Sequence, residues 1–262
     1  MKINSISQFL LDKFEDKPMS IHLDLIGLLR LGKNNKERLE NFREILLSVE
    51  DKGGTILIPT YSMSYTKNEF YNIKNSSSEV GIVTEFLKDK DYNKRTYDPL
   101  FSYLIYSKKE YNQFYKVNNF NCFGENSLIE MLYNNNGFLS TIGCGMRMLT
   151  EIYFLENKFG INYRYNKTFK GTTLTTEGEE INTEVTYFCR DIEKYPNLLS
   201  NFITLENDLI KNNIVEKWNY DNIFSINSVS FKKIENFILR KIKEDPFYLT
   251  IDKNIKNKWD QI

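Results

Sequence analysis

Residues 52–62 read KGGTILIPTYS: a Gly-Gly turn, a four-residue apolar strand and a stop at Pro59, with Thr60, Tyr61 and Ser62 at the strand's exit. Proline has no backbone N–H and cannot continue a central ladder, so the strand ends there. Immediately upstream, NKERLENFREILLSVED (35–51) places Leu39, Phe42, Ile45, Leu46 and Val49 at helical spacing. Before that, MSIHLDLIGLL (19–29) reads as a buried strand running into a loop. The order strand, helix, strand predicts an α/β core.

The pattern continues outward. VGIVTEFLKDK (80–90) predicts a helix opened by the polar loop NIKNSSSEVG, while SYLIYS (102–107) and GFLSTIGCG (137–145) predict further strands. LTEIYFLENKFG (149–160) is amphipathic and stops at Gly160, a helix C-cap. Residues 172–192, TTLTTEGEEINTEVTYFCRDI, alternate in the manner of a β-hairpin turning at EGEE, and helical patterns return in LENDLIKNN and KKIENFILRKIKEDP. With no repeat and no linker-like shift in composition, residues 1–262 are expected to form a single domain carrying a β insertion at about 172–192.

Apolar residues make up 41% of the chain, with 17 Tyr and 19 Phe, enough for a sizeable core. Lys plus Arg balances Asp plus Glu at 35 each, so no net field draws the chain to nucleic acid or an anionic membrane. Cys122, Cys144 and Cys189 form no C-x-x-C pair, and His22 is the only histidine, which excludes a histidine-rich metal site. No metal is expected. No basic-then-apolar leader and no apolar run near 20 residues stands out, so the expectation is a cytoplasmic protein without membrane insertion.

Ligands of open α/β sheets gather at the carboxyl ends of strands, and the strand exits here carry HLDL, PTYS, DPLFS and GCGMR. None is a phosphate-binding G-x-x-x-x-G-K-[ST] loop, and Gly143-Cys144-Gly145 lacks the third glycine of a dinucleotide fingerprint. Taken singly, the candidates have bland readings. His22 fits a core histidine, Cys144 a small buried hydrophobe, Glu156 an exposed helix face, and Arg164 between Tyr163 and Tyr165 a stacked surface arginine. Asp98 precedes Pro99 and fits a turn-former.

Taken together they say more. The ordered set SIHLDL, GGTILIPTYS, SSEVGIVTEFLK, KRTYDPLFS, CFGENSLIEMLYNNNG, IGCG, LTEIYFLE, YRYNKTFKG and KEDPFYL, in register from about residue 20 to 249, closely resembles the aminoglycoside 3-N-acetyltransferase family. The resemblance is to members associated with surface-polysaccharide gene clusters. It implies an α/β sandwich-like fold, an acetyl-CoA or other acyl-CoA site, and acyl transfer to a sugar amine. Carried over position by position, Leu23 and Asp24 fall in a loop near the coenzyme, Thr60 and Tyr61 match a Pro-Thr-Phe segment, and Gly81 and Ile82 match a helix start near the pantetheine arm. The family pattern Arg-Ser-x-His-Pro-x-x-Ser is kept at Arg95, Pro99 and Ser102, but Asp98 stands where the histidine general base is expected. Tyr153 likewise replaces a histidine, whereas Glu156 matches.

These substitutions bear on mechanism. An aspartate with a reference pKa of about 3.9 is a poor base near neutrality unless burial or a neighbouring carboxylate such as Glu156 raises it. Alternatively Asp98 anchors the substrate ammonium while His22 or water takes the proton, or the site is silent. The preferred acceptor is a nucleotide-linked amino sugar, with Arg164 and Lys167 toward its diphosphate, Tyr163 or Tyr165 stacking on a sugar or base, and Tyr153 in the acceptor's surroundings. The rivals are a true aminoglycoside acetyltransferase and a silent coenzyme-binding homologue. The expected partners are small molecules, and a homodimer is compatible with them.

Overall fold

The computed structural model describes residues 3–115 and 120–252. Its centre is a six-stranded mixed sheet. Strand β1 (Met19–Leu23) lies between β2 (Ile56–Pro59) and a later strand, Phe138–Ile142, and runs parallel to both. The short strand β3 (Tyr71–Asn72) belongs to a second sheet; β4 (Tyr103–Tyr106) flanks β2 antiparallel. Strands β5 (Phe120–Asn121) and β6 (Phe138–Ile142) follow in different sheets, and the long strands β7 (Arg164–Leu174) and β8 (Glu180–Arg190) form a hairpin. The remaining strands are β9 (Leu198–Ser200), β10 (Glu216–Tyr220), β11 (Phe224–Ser230) and β12 (Thr250–Asp252). The large sheet has the order β10-β11-β6-β1-β2-β4, and a four-stranded sheet has the order β3-β7-β8-β5.

Strand side chains alternate between faces, and the large sheet separates two cores accordingly. Met19, Ile21, Ile56 and Ile58 pack with helices α1 (Ile3–Phe14), α2 (Asn35–Asp51) and α3 (Ile82–Asp91). Leu57, Tyr103, Ile105 and Leu139 face the other core. That core also holds α4 (Leu128–Asn134), α5 (Ile152–Lys158), α6 (Phe202–Lys211) and α7 (Phe231–Glu244). Asn34 caps α2 by accepting the Glu37 amide at 2.9 Å, and Gly160, at φ +66°, follows α5 as its cap pattern requires.

The α/β sandwich-like architecture read from the sequence is the one observed, with two additions. Helix α1 buries Ile6, Leu10 and Phe14, an i, i+4, i+8 stripe blurred by Phe9 and Leu11 beside it and by the polar residues between. The hairpin β10–β11 follows α6, where only helices were expected. The long hairpin turns at residues 175–179 but begins at Arg164 rather than near 172. Its first half, RYNKTFKG, is mostly exposed and shows no inward alternation to read.

One loop is fixed by glycine alone. Gly143, after β6, has φ +73°, and a Cβ there would come within 2.3 Å of the Gly27 nitrogen. The loops after β1 and β6 therefore touch backbone to backbone. Gly143→Ala is expected to cost about 2 to 3 kcal/mol, from left-handed strain plus the clash. A Tm lower by roughly 5 to 10 °C on thermal melting is the corresponding signature; an unchanged Tm would show that the contact is not needed.

Candidate functional site

Two polar residues sit where the alternation of β1 calls for apolar ones. Met19, Ile21 and Leu23 enter one core, so Ser20 and His22 must point into the other, where both are buried. Buried polar groups require partners, and theirs is Glu151, fully buried just before α5. His22 Nε2 lies 2.9 Å from Glu151 Oε2 and 3.1 Å from Oε1, and the Ser20 hydroxyl donates to Oε1. An ionised carboxylate only accepts hydrogen bonds, which puts the imidazole proton on Nε2. Burial alone would raise the Glu151 carboxyl, but the contacts from His22 and Ser20 outweigh it and hold the group below its ordinary value.

A chain of hydroxyls leads outward from this carboxylate. Tyr103 donates to Glu151 Oε1 at 3.1 Å, the Tyr61 and Tyr103 hydroxyls are 2.6 Å apart, and Tyr61 meets Thr150 Oγ1 at 2.5 Å. Burial, then the Glu151 charge, pushes both tyrosines well above the ordinary phenol value, so both stay protonated. Thr150 is partly exposed and borders a cavity of about 830 Å³ that also meets Tyr153, Phe202 and Tyr248.

Asp98 fulfils the turn reading and borders a cavity as well. Its Oδ1 accepts the amides of Leu100 at 2.8 Å and Phe101 at 2.9 Å, with Cys122 Sγ at 3.8 Å. Oδ2 has no hydrogen-bond partner among the described residues. Burial raises the Asp98 carboxyl above its usual value, against the pull of the two amides and the thiol. The adjoining cavity, about 700 Å³, is also bordered by Tyr103, Glu125 and Glu130 and by no lysine or arginine among the described residues. The loop is pinned by Arg95, which is fully buried without a carboxylate partner among the described residues. Its guanidinium donates to the carbonyls of Thr60 (2.6 Å), Ser76 (2.5 Å) and Ile73 (3.2 Å) and to Ser102 Oγ (3.1 Å).

The structure does not bring Glu156 to Asp98. Glu156 is fully buried with Tyr163 OH at 2.7 Å and Arg164 Nε at 2.8 Å, and burial raises its carboxyl more than Arg164 and Tyr163 lower it. A chain of ring contacts, Phe101 to Phe123 at 4.6 Å and Phe123 to Tyr153 at 5.3 Å, leads from the Asp98 loop toward that ion pair. Arg164 stacks over Tyr153 at 4.1 Å and donates to Phe188 O and Ser200 Oγ, so its charge is already met from inside. Tyr163 is buried against Phe247, whereas Tyr165 and Lys167 are exposed on the hairpin.

Arg164 and Arg190 face each other across β7 and β8 and, with Tyr153 and Tyr187, border a hollow of about 530 Å³. Arg190 has no carboxylate partner among the described residues, although like charges directly opposite repel. The hollow shares Tyr153 and Ser200 with the Thr150 cavity.

The six positions matched to the coenzyme fall into two groups. Leu23 ends β1 and Asp24 follows it, its Oδ1 capping the next 3-10 segment through the Ile26 amide at 3.0 Å. Beside them a hollow of about 570 Å³, bordered by Gly27, Gly143, Arg30, Arg147 and Lys217 and by no carboxylate among the described residues, suits phosphate groups. Thr60 and Tyr61 are buried at the exit of β2. The Tyr61 carbonyl accepts the Glu79 amide at 2.8 Å, which sets the start of α3, with Gly81 (φ +141°) and the exposed Ile82, close by.

Sequence reasoning passed over Glu151, Arg190, Tyr103 and Thr150. The one available signal was Ser20 and His22 on one face of an apolar strand, which demands a buried polar partner without saying where along the chain it lies.

The aminoglycoside 3-N-acetyltransferase family model matches residues 27–226. Among solved structures, AAC-IIIb in its binary complex with CoASH superposes with TM-score 0.66 at 14% identity, covering 93% of this chain and 97% of that one. The YokD protein of Bacillus subtilis gives TM-score 0.66 at 15% identity, covering 93% and 94%. The apoenzyme of aminoglycoside acetyltransferase AAC(3)-IVa gives 0.63 at 12%, covering 94% and 90%. No curated protein matches the sequence significantly. At such identities the structural likeness concerns the fold.

The carboxyl of Glu151 titrates lower in the folded chain than in the unfolded one. Its ionised form therefore stabilises the fold above the unfolded value of about 4.3, and that stabilisation is lost as pH falls through the lower, folded value. The Tm gap between wild type and Glu151→Gln is expected to be largest near neutrality, to begin narrowing as pH falls past the unfolded value of about 4.3 and to close only below the folded value; a gap independent of pH would contradict the ionised assignment.

Proposed function

The chain belongs to the aminoglycoside 3-N-acetyltransferase family, and on that premise we propose that it is an acyl-coenzyme A-dependent N-acyltransferase whose acceptor is the amino group of a nucleotide-linked sugar. The observation that carries the reading is Asp98: a carboxyl raised by burial, one oxygen held by two backbone amides, the other without a partner among the described residues, beside a cavity large enough for a sugar. Attack on a thioester requires a neutral amine and a group that takes or holds its proton. In the family pattern a histidine stands at this position. Oδ2 of Asp98 suits the task better than an ordinary aspartate because its protonated and ionised forms lie closer in energy near neutral pH.

For the cosubstrate, Arg30 and Lys217 beside the glycine loops after β1 and β6 fit the phosphates of an acyl-coenzyme A, and Arg147, paired with Glu206 at 3.1 Å, borders the same hollow. Coenzyme A binding in a solved relative supports that assignment. For the acceptor, the hollow of Tyr153, Tyr187, Arg164 and Arg190 supports a diphosphate-bearing ligand. Arg164 is neutralised by Glu156, which leaves Arg190 as the cation to meet the anion. A second reading, modification of a cationic aminoglycoside, is favoured by Glu125 and Glu130 in the Asp98 cavity.

Purified protein, acetyl-coenzyme A and a panel of nucleotide-linked amino sugars and aminoglycosides, followed by free thiol and product mass, test the assignment. Turnover on a nucleotide-linked amino sugar is expected, with Asp98→Asn lowering kcat/KM by about 10²- to 10⁴-fold. The acid limb of the wild-type kcat/KM profile should be displaced upward from that of an ordinary aspartate, because burial raises the Asp98 carboxyl. Turnover confined to aminoglycosides selects the second reading, and coenzyme binding without turnover on any amine removes the enzyme assignment.

Arg190→Ala is expected to raise KM for the nucleotide-linked sugar on the order of 10-fold while leaving KM for acetyl-coenzyme A unchanged. An unaltered acceptor KM would place the diphosphate elsewhere.

A further inference from the structure

The hydroxyl chain behind Thr150 has a fixed polarity. Glu151, ionised, can only accept, so Tyr103 donates to it. The Tyr103 oxygen is then the acceptor for Tyr61 at 2.6 Å, and the Tyr61 oxygen the acceptor for Thr150 at 2.5 Å. With its own proton turned inward, Thr150 Oγ1 presents lone pairs to the cavity it borders. Such a chain accepts a proton at its outer end and delivers one to the carboxylate at its inner end, without either phenol ionising.

We propose that the acceptor amine gives its proton to Thr150 Oγ1 and that Tyr61 and Tyr103 pass a proton on to Glu151, which Ser20 and His22 hold in place. The proposal rests on the acyltransferase reading and deepens it by naming where the amine's proton goes. As the nitrogen lone pair forms the C–N bond to the thioester carbonyl carbon, the N–H proton moves to Thr150. The Thr150 proton moves to Tyr61, the Tyr61 proton to Tyr103 and the Tyr103 proton to Glu151 Oε1. When the C–S bond breaks, the same hydroxyls run in reverse and Thr150 protonates the leaving thiolate. The amine has lost one proton, the thiol has gained one, and the chain is restored. The substrate ammonium first gives one proton to Asp98 Oδ2, which passes it to solvent, so that the amine meeting Thr150 is neutral and has the one proton that the hydroxyl chain takes; the Asp98 charge also reaches Tyr61, where, after burial and Glu151, it helps keep the phenol protonated. The sole histidine takes part only by fixing Glu151, which makes His22 and Ser20 positioning residues.

The relay is tested with Tyr61→Phe, Thr150→Val and Thr150→Ser, in the same thiol-release assay and with a solvent deuterium isotope effect on kcat. Tyr61→Phe keeps the ring that packs on Phe101, and Thr150→Val keeps the shape of the side chain. Both should lower kcat by about 10- to 100-fold with KM for acetyl-coenzyme A unchanged and Tm within a few degrees of wild type. Both should also diminish the isotope effect, while Thr150→Ser, which keeps the hydroxyl, recovers turnover and the isotope effect relative to Thr150→Val. Wild-type turnover that persists at full kcat and with an unchanged isotope effect in Tyr61→Phe and Thr150→Val overturns the relay alone, and loss in Asp98→Asn alongside would then assign the proton to Asp98. Absence of wild-type turnover on every amine overturns the acyltransferase reading and the relay together.

Discussion

A carboxylate with no exposure to water sits at the middle of this molecule. Removing the charge of Glu151 from solvent is costly unless hydrogen bonds replace the lost hydration, and the replacements come from different parts of the chain. Ser20 and His22 rise from the central strand β1, Tyr103 from β4, and Tyr61 extends the set from the exit of β2. The strands must hold their register for these groups to converge, because a slip of one residue in β1 would turn Ser20 and His22 to the opposite face and bring Ile21 against the carboxylate. The polar centre thus specifies the pairing of a sheet whose apolar residues alone would tolerate more than one arrangement.

Arg95 solves the opposite problem by different means. A buried guanidinium with no carboxylate partner among the described residues is satisfied by three carbonyls and a serine hydroxyl, which ties the exit of β2, the loop at residues 73–76 and the approach to β4 into one unit. Asp98 is carried on that unit, with Oδ1 used to build its own turn. The choice between a turn-forming and a chemical aspartate is therefore not exclusive: the two amides that make the turn also fix which oxygen remains available.

Much of the fold was legible because period-2 and period-3.6 patterns are local. The strand, helix, strand order from Met19 to Pro59, the helix from Ile82 and the hairpin turn near Gly178 follow from short windows of residues. Helix α1 and the hairpin β10–β11 were not, since α1 carries its apolar stripe among further apolar and polar residues and the hairpin mixes Asn, Ser and Lys into its strands. The site was legible only in part. Asp98, His22 and Glu156 stand out as residue types in suggestive settings, but their partners are fixed by tertiary geometry. Glu156 meets Arg164 rather than Asp98, and nothing in the spacing of LTEIYFLE distinguishes Glu151, facing the sheet, from Glu156, facing the hairpin.

The parallel pairing of β1 with β6 has a temporal side. Ser20 and Glu151 are 131 positions apart in the chain, so during synthesis the central strand emerges long before its neighbour β6 or the carboxylate it must hold. Until residues near 151 leave the ribosome, β1 has an unpaired edge and two polar side chains with no partner, and non-local pairing of this kind is slow to form. Helices α1 and α2 can already cover the apolar face of β1 at that stage, because all three lie within the first 51 residues. The polar face, which becomes the centre of the molecule, therefore closes well after the apolar one.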